Sequence, residues 1–188
     1  MREAQAILAG LGVRIATLNE YPGLPEPTED ADTFEGNAKL KALHYARLTG
    51  CLTLADDSGL VVDALGGEPG VRSARYAGPA SDDAANNAKL IGKLADVPAA
   101  ERTARFRCAI ALANADKVIA TVSGKVEGII VEEARGSSGF GYDPHFFLPD
   151  LGMTMAQMEP QQKNRISHRG KALRAISPVI ERLLDRSP

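Results

Sequence analysis

The sequence lacks the features that would assign it to a special class of protein. Only two of its 188 residues are cysteines, Cys51 and Cys108, which is too few for a disulfide framework, and no Cys/His spacing of a zinc site is present. No apolar run is long enough to span a membrane, and the charged start, MREAQAIL, is unlike a signal peptide. The net charge of -2 shows no basic excess of the kind that nucleic-acid or membrane-surface binding requires. We therefore expect a cytoplasmic protein that binds neither nucleic acid nor membrane.

What is present is the composition of an ordinary globular protein, 44% hydrophobic and 24% charged. Two stretches rich in Val, Ile and Ala predict strands joined by a hairpin turn, and a shorter stretch predicts an early strand: 105–113, 117–131 and 13–18. The sequence predicts four helices, the second from its repeating apolar residues and the last bent or broken at Pro178: 2–9, 33–48, 82–94 and 167–184. We expect Asp32 to cap the second helix, with Glu35 in capping-box spacing. One α/β domain with a mixed sheet, covering residues 1–188, accounts for this order.

The stretch LADDSGL (54–60) places two carboxylates, Asp56 and Asp57, between two apolar runs. Asp-Asp-Ser-Gly is typical of a turn, and the structural interpretation is a strand over 51–55, a turn, and a second strand or short helix through Leu65. Adjacent carboxylates at the end of a buried strand repel each other, however, and Mg²⁺ or a cationic partner would relieve that repulsion. We therefore favour a functional site here.

Charged residues before and within the second helix are weaker candidates. Glu29 and Asp30 precede the helix, where acids are usually solvated or favour its N-terminus, although one of them is a possible second metal ligand. Lys39 and Lys41 lie two residues apart and face different directions, so one is a surface residue and the other is placed to reach a phosphate.

Two further stretches predict a binding site. GSSGFGYDP (136–144) combines glycines, which allow close backbone approach, with the aromatic rings of Phe140 and Tyr142 and the acceptor Asp143. The segment is either a flexible loop without a specific function or a binding loop whose aromatic rings stack on a nucleobase. KNRISHRGK (163–171) gathers four basic residues and His168 around a helix start with Ser167 as the cap. A solvated turn is the alternative, but cations at a helix N-terminus favour a bound anion or an electron-rich base edge.

Together these stretches resemble the inosine triphosphate pyrophosphatase family, the non-canonical purine nucleoside triphosphate pyrophosphatases, also called XTP/dITP diphosphatases. The resemblance runs through TFEGNAKLKA (33–42), LADDSGLVVDALGGEPGVRSARYAG (54–78), GFGYDPHFF (139–147) and KNRISHRGKAL (163–173). It implies an elongated α/β fold with a long mixed sheet, flanking helices, two lobes with a central cleft, and a homodimer. It also implies Mg²⁺-dependent hydrolysis of ITP, dITP and XTP to the nucleoside monophosphate and pyrophosphate, which removes deaminated purines from the nucleotide pool.

The resemblance also implies roles for individual residues. Asp57 matches the carboxylate that activates water, Asp56 supports it, and Glu29 and Asp57 match the metal ligands. Lys41 matches a triphosphate-binding lysine, and Phe140 a residue that stacks on the purine. The full set of implied substrate-binding residues is Lys41, Ser58, Phe140, Gly141, Tyr142, Asp143, Lys163, His168 and Arg169.

One departure from the family pattern leaves other functions open. Members begin with a strand and a Ser/Thr-x-Asn-x-x-Lys phosphate loop, whereas this chain starts at what resembles the following helix, so we expect an N-terminally short domain that binds triphosphate less tightly. One alternative is a degenerate nucleotide-binding protein, and another is a pyrophosphatase of the same fold that acts on modified pyrimidine nucleotides. The intact Asp57 argues against the first, and the SHR and GFGYD stretches fit the purine family better than the second.

Overall fold

The computed structural model describes residues 2–185, apart from the side chains of Arg2, Glu3 and Ala6. Its helices are α1 (Arg2–Leu8), α2 (Phe34–Thr49), α3 (Asp83–Lys93), α4 (Pro160–Ile166) and α5 (His168–Leu184). Its strands are β1 (Thr53–Val62), β2 (Thr103–Ala113), β3 (Val118–Ile130), β4 (Phe146–Leu148) and β5 (Met153–Thr154). No helix among these residues is both long and apolar enough to cross a membrane.

The five strands form one antiparallel sheet in the order β1-β2-β3-β4-β5, so each strand lies beside its neighbour in sequence. Ile130 of β3 pairs with Phe146 of β4, and Leu148 of β4 pairs with Met153 of β5. The predicted α/β class, with helices flanking a sheet, is confirmed, but the sheet formed by the described residues is antiparallel rather than mixed, because each strand pairs with its neighbour in sequence. The predicted hairpin strands are present as β2 and β3.

The sequence prediction of a turn at Asp56–Gly59 is wrong. Residues Thr53–Val62 form one continuous strand, with Leu60 and Val62 fully buried. Strand formation prevails over the local turn preference because β2 lies beside β1 and because the second apolar run enters the core. Successive side chains of a strand point to opposite faces, so Asp56 and Asp57 are directed apart.

Two predictions near the N-terminal end of α2 are also wrong. The stretch 13–18 is not a strand: residues 13–17 adopt no regular secondary structure, and a capping box between Thr17 and Glu20 begins the 3-10 turn Leu18–Glu20. The N-cap of α2 is Thr33 rather than Asp32, because the Thr33 hydroxyl accepts a hydrogen bond from the Gly36 N–H at 3.0 Å. The remaining differences lie near the C-terminus, where α4 was not predicted and α5 continues through Pro178.

The chain divides into two compact units, and the first contains residues up to Asp57, Cys108–Gly124 and residues from His168 onward. Its core is formed where α1 packs against α5 and β2. The fully or almost fully buried apolar side chains there include Leu8, Ile110, Leu112, Leu173 and Ile176. Burying such side chains is the main stabilising contribution, at about 1.5–3 kcal/mol each.

The second unit contains Ser58–Arg107 and Lys125–Ser167. Its core includes Leu60, Leu90, Phe106, Ile130, Phe146 and Met155. The ring centroids of Phe106 in β2 and Phe146 in β4 lie 4.5 Å apart within this core. This packing supports the end of β3 and the strand β4. The glycine-rich segment lies between these two strands in sequence.

Candidate active site

Asp57 lies at the centre of a polar cluster in the first unit. Its Oδ1 accepts a hydrogen bond from Lys41 Nζ at 2.8 Å, and its Oδ2 accepts one from Asn37 Nδ2 at 3.3 Å. The Lys41 ammonium also contacts Glu29 Oε2 at 3.3 Å. The side chains of Asp57 and Lys41 are only 12% and 17% exposed, so these charges interact with little screening by water.

Helix α2 supplies two of these side chains from one face. Its buried positions, Phe34, Ala38, Ala42 and their neighbours, repeat every three or four residues. Asn37 is 3% exposed on this face, and Lys41 follows it by one turn. Lys39 instead forms an exposed ion pair with Glu35. The prediction that the two lysines face different directions is therefore confirmed.

The cluster contains more carboxylates than ammonium groups. Burial raises the pKa of the Asp57 carboxyl above its ordinary value, and the hydrogen bonds from Lys41 and Asn37 only partly offset this. The pKa of Lys41 is raised as well: burial acts to lower it, but the hydrogen bonds and charges of Asp57 and Glu29 outweigh burial. Two carboxylates thus share one ammonium, and a further cation would be stabilised beside them.

The residues of this cluster fit a magnesium ion. Carboxylate oxygens are the ligands that Mg²⁺ prefers, and one or two of them, with water and phosphate oxygens, are enough to hold it. Lys41 already shows that Glu29 and Asp57 approach a common cation. Among residues 2–185, no group of three or more His, Cys, Asp or Glu side chains is arranged as a complete metal site. One or two carboxylates of this cluster would hold the ion together with water or phosphate oxygens.

Asp56, on the opposite face of β1, has its own cation. Its Oδ2 accepts hydrogen bonds from Arg169 Nε at 3.0 Å and from Arg169 Nη2 at 2.9 Å. The thiol of Cys108 lies 3.9 Å from the same oxygen. Hydrogen bonds from two guanidinium nitrogens orient Arg169 as well as pairing its charge. The sequence places Asp56 only in support of Asp57, whereas the structure gives it a separate partner.

His168 and Arg169 begin α5, directly after Ser167 and the end of α4. The KNRISHRGK segment is thus divided between two helices, and Lys163 and Arg165 lie in the last turn of α4, where the helix dipole favours cations. Only part of the segment therefore shows the unfavourable charge placement on which its prediction rested. His168 is 7% exposed.

In the second unit, Asp143 organises the glycine-rich segment. Its Oδ2 accepts a hydrogen bond from the Phe140 N–H at 2.9 Å and forms an ion pair with Lys163 Nζ. Asp143 is 3% exposed, whereas Phe140 is 64% exposed, with the Lys163 ammonium 5.2 Å from its ring centroid. An exposed aromatic ring is thus held on a fixed backbone, with a cation over it.

Other predicted residues in this unit are placed as follows. The Tyr142 hydroxyl donates to Ser73 O at 2.8 Å, and burial raises the pKa of this phenol well above its ordinary value. Gly141 has a φ of +60°, a left-handed conformation that favours glycine. Ser58 lies in β1 and is half-buried. The structure therefore brings Glu29, Lys41 and Asp57 together in one unit, and Phe140, Asp143 and Lys163 in the other.

Sequence reasoning missed Asn37. Its Nδ2 donates to Asp57, and its Oδ1 accepts a hydrogen bond from the Ala31 N–H at 3.0 Å. It thereby links the loop that carries Glu29 to the carboxylate of Asp57. The available signal was a polar residue on the apolar face of α2, one turn before Lys41. Such a residue has to find a buried hydrogen-bond partner.

Known proteins are similar to this chain over nearly its whole length. The dITP/XTP pyrophosphatase of Desulforamulus reducens is 50% identical over 183 residues, which cover 97% of this chain and 91% of that protein. The dITP/XTP pyrophosphatase of Geobacter sulfurreducens is 53% identical over 173 residues, covering 92% and 87%. The solved structure of a HAM1 protein from Coxiella burnetii superposes with a TM-score of 0.88 at 42% identity, covering 96% of this chain and 92% of that one. Residues 1–179 match the Ham1 family pattern, and the chain belongs to the Ham1 family.

Proposed function

We propose that this protein is a nucleoside triphosphate pyrophosphatase that hydrolyses dITP, ITP and XTP to the nucleoside monophosphate and pyrophosphate. Relatives about half identical over nearly the whole chain carry the name dITP/XTP pyrophosphatase. The structural observation that carries the proposal is the buried carboxylate of Asp57, held between Lys41 and Asn37. A nucleotide-binding protein without activity has no need for such a group.

Asp57 orients the attacking water and accepts its proton. The water oxygen forms a bond to the α-phosphorus, the bond from that phosphorus to the bridging oxygen breaks, and pyrophosphate leaves. Lys41 neutralises negative charge on the phosphates, and Ser58, which follows Asp57, is a further substrate contact. When bound by Glu29 and Asp57, Mg²⁺ would supply additional charge neutralisation at the phosphates.

The base is bound by the residues of the two remaining motifs. Phe140 stacks on the purine, and the rest of the GFGYD segment, Gly141, Tyr142 and Asp143, forms the adjoining wall with Lys163. His168 and Arg169 donate hydrogen bonds to the oxygen at position 6 of hypoxanthine or xanthine. Adenine carries an amino group there, which leaves those donors unpaired, and such mismatches are rejected by up to about 10⁴-fold.

We further propose that residues 1–188 act as one domain, that the protein is a homodimer, and that it works in the cytoplasm without binding nucleic acid. Support for the single domain comes from the family pattern, which extends over residues 1–179. The net charge of -2 agrees with a protein that does not bind nucleic acid. Cys51 is a free, exposed thiol, as is common in a reducing compartment.

A pyrophosphate-release assay over ITP, XTP, dITP, GTP, ATP and dUTP, with Mg²⁺ and with a chelator, tests the proposed activity. We expect release from ITP, XTP and dITP, much slower release from ATP, and loss of turnover with the chelator. Release mainly from dUTP would favour a pyrimidine nucleotide pyrophosphatase. Binding without any release would favour a nucleotide-binding protein.

Asp57→Asn tests the proposed role of the carboxylate. We expect turnover to fall by about 10²–10⁴-fold, because the amide cannot accept the proton of water. The matched control is Asp116→Asn, which makes the same change at an exposed position in the β2–β3 turn and should retain turnover. Circular dichroism and thermal melting would verify that both variants fold. Turnover retained in Asp57→Asn would remove this residue from the mechanism.

A further inference from the structure

Two side chains of α3 hold the backbone of the glycine-rich segment at Gly141. Asp83 Oδ2 accepts a hydrogen bond from the Gly141 N–H at 2.7 Å, and Asn87 Nδ2 donates one to Gly141 O at 2.9 Å. Asp83 and Asn87 are four residues apart, so both project from the same face of the helix. Gly141 thus has both of its backbone polar groups bound, as it would beside a neighbouring strand.

The position of this contact makes it significant. Gly141 follows Phe140 directly, and Phe140 is 64% exposed. A ring with so little packing of its own depends on its backbone for orientation. The Phe140 N–H is already bound by Asp143 at 2.9 Å, and the Tyr142 hydroxyl is bound by Ser73 O at 2.8 Å. The bonds to Gly141 complete the attachment of three consecutive residues.

Asn87 has a feature that a purely stabilising residue would not show. Its Oδ1 is buried and has no hydrogen-bond partner among residues 2–185. A buried acceptor without a partner opposes folding by about as much as one hydrogen bond supports it. The contribution of the Asn87 carboxamide to stability is therefore small, and its evident contribution is the fixed position of Gly141.

We propose that Asp83 and Asn87 are positioning residues for base binding, which act by clamping Gly141 so that Phe140 is held ready to stack on the purine. This inference rests on the proposed function. Without the clamp, the segment must become ordered each time a substrate binds, and the cost of ordering weakens binding. The clamp therefore acts on KM, whereas the residues proposed for hydrolysis, Lys41 and Asp57, continue to determine kcat.

The experiment compares Asp83→Ala, Asn87→Ala and the double variant with the wild-type protein. We expect KM for dITP to rise by about tenfold in the double variant, with kcat within about twofold of wild type. Amide hydrogen exchange at 139–142 should become faster, while the melting temperature of Asn87→Ala changes little. Asp83→Asn keeps an acceptor oxygen and should restore KM.

The control is Asp96→Ala, which removes an exposed acid beyond the C-terminal end of α3 and should leave both KM and the melting temperature unchanged. An active wild type whose KM is unchanged in the double variant would overturn the clamp alone. A wild type inactive on both dITP and XTP would overturn the proposed function and this inference with it.

Discussion

At the scale of single residues, the two adjacent carboxylates of LADDSGL act separately because they lie in a strand. Side chains alternate along a strand, so Asp56 and Asp57 point to opposite faces and the repulsion between them is reduced. Each then meets its own cation, Arg169 for Asp56 and Lys41 for Asp57. The sequence suggested one acidic site, whereas the strand places the two carboxylates in two separate sites.

Asn37 offers the sharpest test at this scale. Asn37→Ala removes the hydrogen bond to Asp57 and leaves the Ala31 N–H without its acceptor, so we expect turnover to fall by about tenfold and the free energy of unfolding by about 1–3 kcal/mol. Glu35→Ala, on the exposed side of the same helix, should change turnover by less than twofold. Steady-state kinetics and urea denaturation measure both effects. Wild-type turnover in Asn37→Ala would show that Asp57 needs no support from this amide.

At the scale of elements, the approach of α5 to β3 determines where His168 and Arg169 lie. A Cβ atom at Gly124 of β3 would lie 2.2 Å from His168 O and 2.8 Å from Ala172 N, both backbone atoms of α5. Only glycine allows the first turn of the helix to approach the strand so closely. A small residue in one element thereby positions two proposed base-binding residues in another.

Gly124→Ala should therefore displace the start of α5. We expect the free energy of unfolding to fall by about 1–3 kcal/mol, as for other overpacked sites, and KM for dITP to rise because Arg169 moves relative to Asp56. Gly10→Ala is the matched control: its Cβ would meet nothing within 4 Å, and its stability should stay within about 0.5 kcal/mol of wild type. Thermal melting and kinetics distinguish the two variants. Equal stability of both would mean that α5 does not depend on this glycine.

Elements with a strong sequence pattern were predictable. Elements in which a local preference competes with tertiary contacts were not. The hairpin strands β2 and β3 follow from their richness in Val, Ile and Ala, and helix α2 follows from its repeating apolar residues, both of which tertiary packing reinforces. The turn expected at Asp56–Gly59 failed because pairing with β2 and burial of the second apolar run outweigh the local turn preference. Helix α4 was missed because it is only seven residues long, although Pro160 at its start is a typical signal.

At the scale of the whole molecule, the family assignment predicted from four separated motifs is confirmed by the match over residues 1–179. The motifs were informative because each combines residue types with a specific chemical use. The residue types of the four motifs did not indicate which motif belongs to which of the two compact units. Glu29, Lys41 and Asp57 lie in one unit, and the glycine-rich segment lies in the other.

The proposed homodimer is tested at this scale. Light scattering coupled to size-exclusion chromatography should give twice the chain mass of 19.9 kDa, which is about 40 kDa. If the interface contributes to stability, the melting temperature should also rise with protein concentration. A mass of one chain at micromolar concentration would contradict the proposed dimer.

The sequence alone determined the family, the α/β class and the residues with chemical potential, because these depend on residue types, their order and their periodicity. The tertiary structure decided which of those residues meet. Asn37, Asp83 and Asn87 gained importance only through contacts with residues 20 to 58 positions away in sequence. Contacts at such separations depend on how strands and helices pack, and no local pattern specifies them.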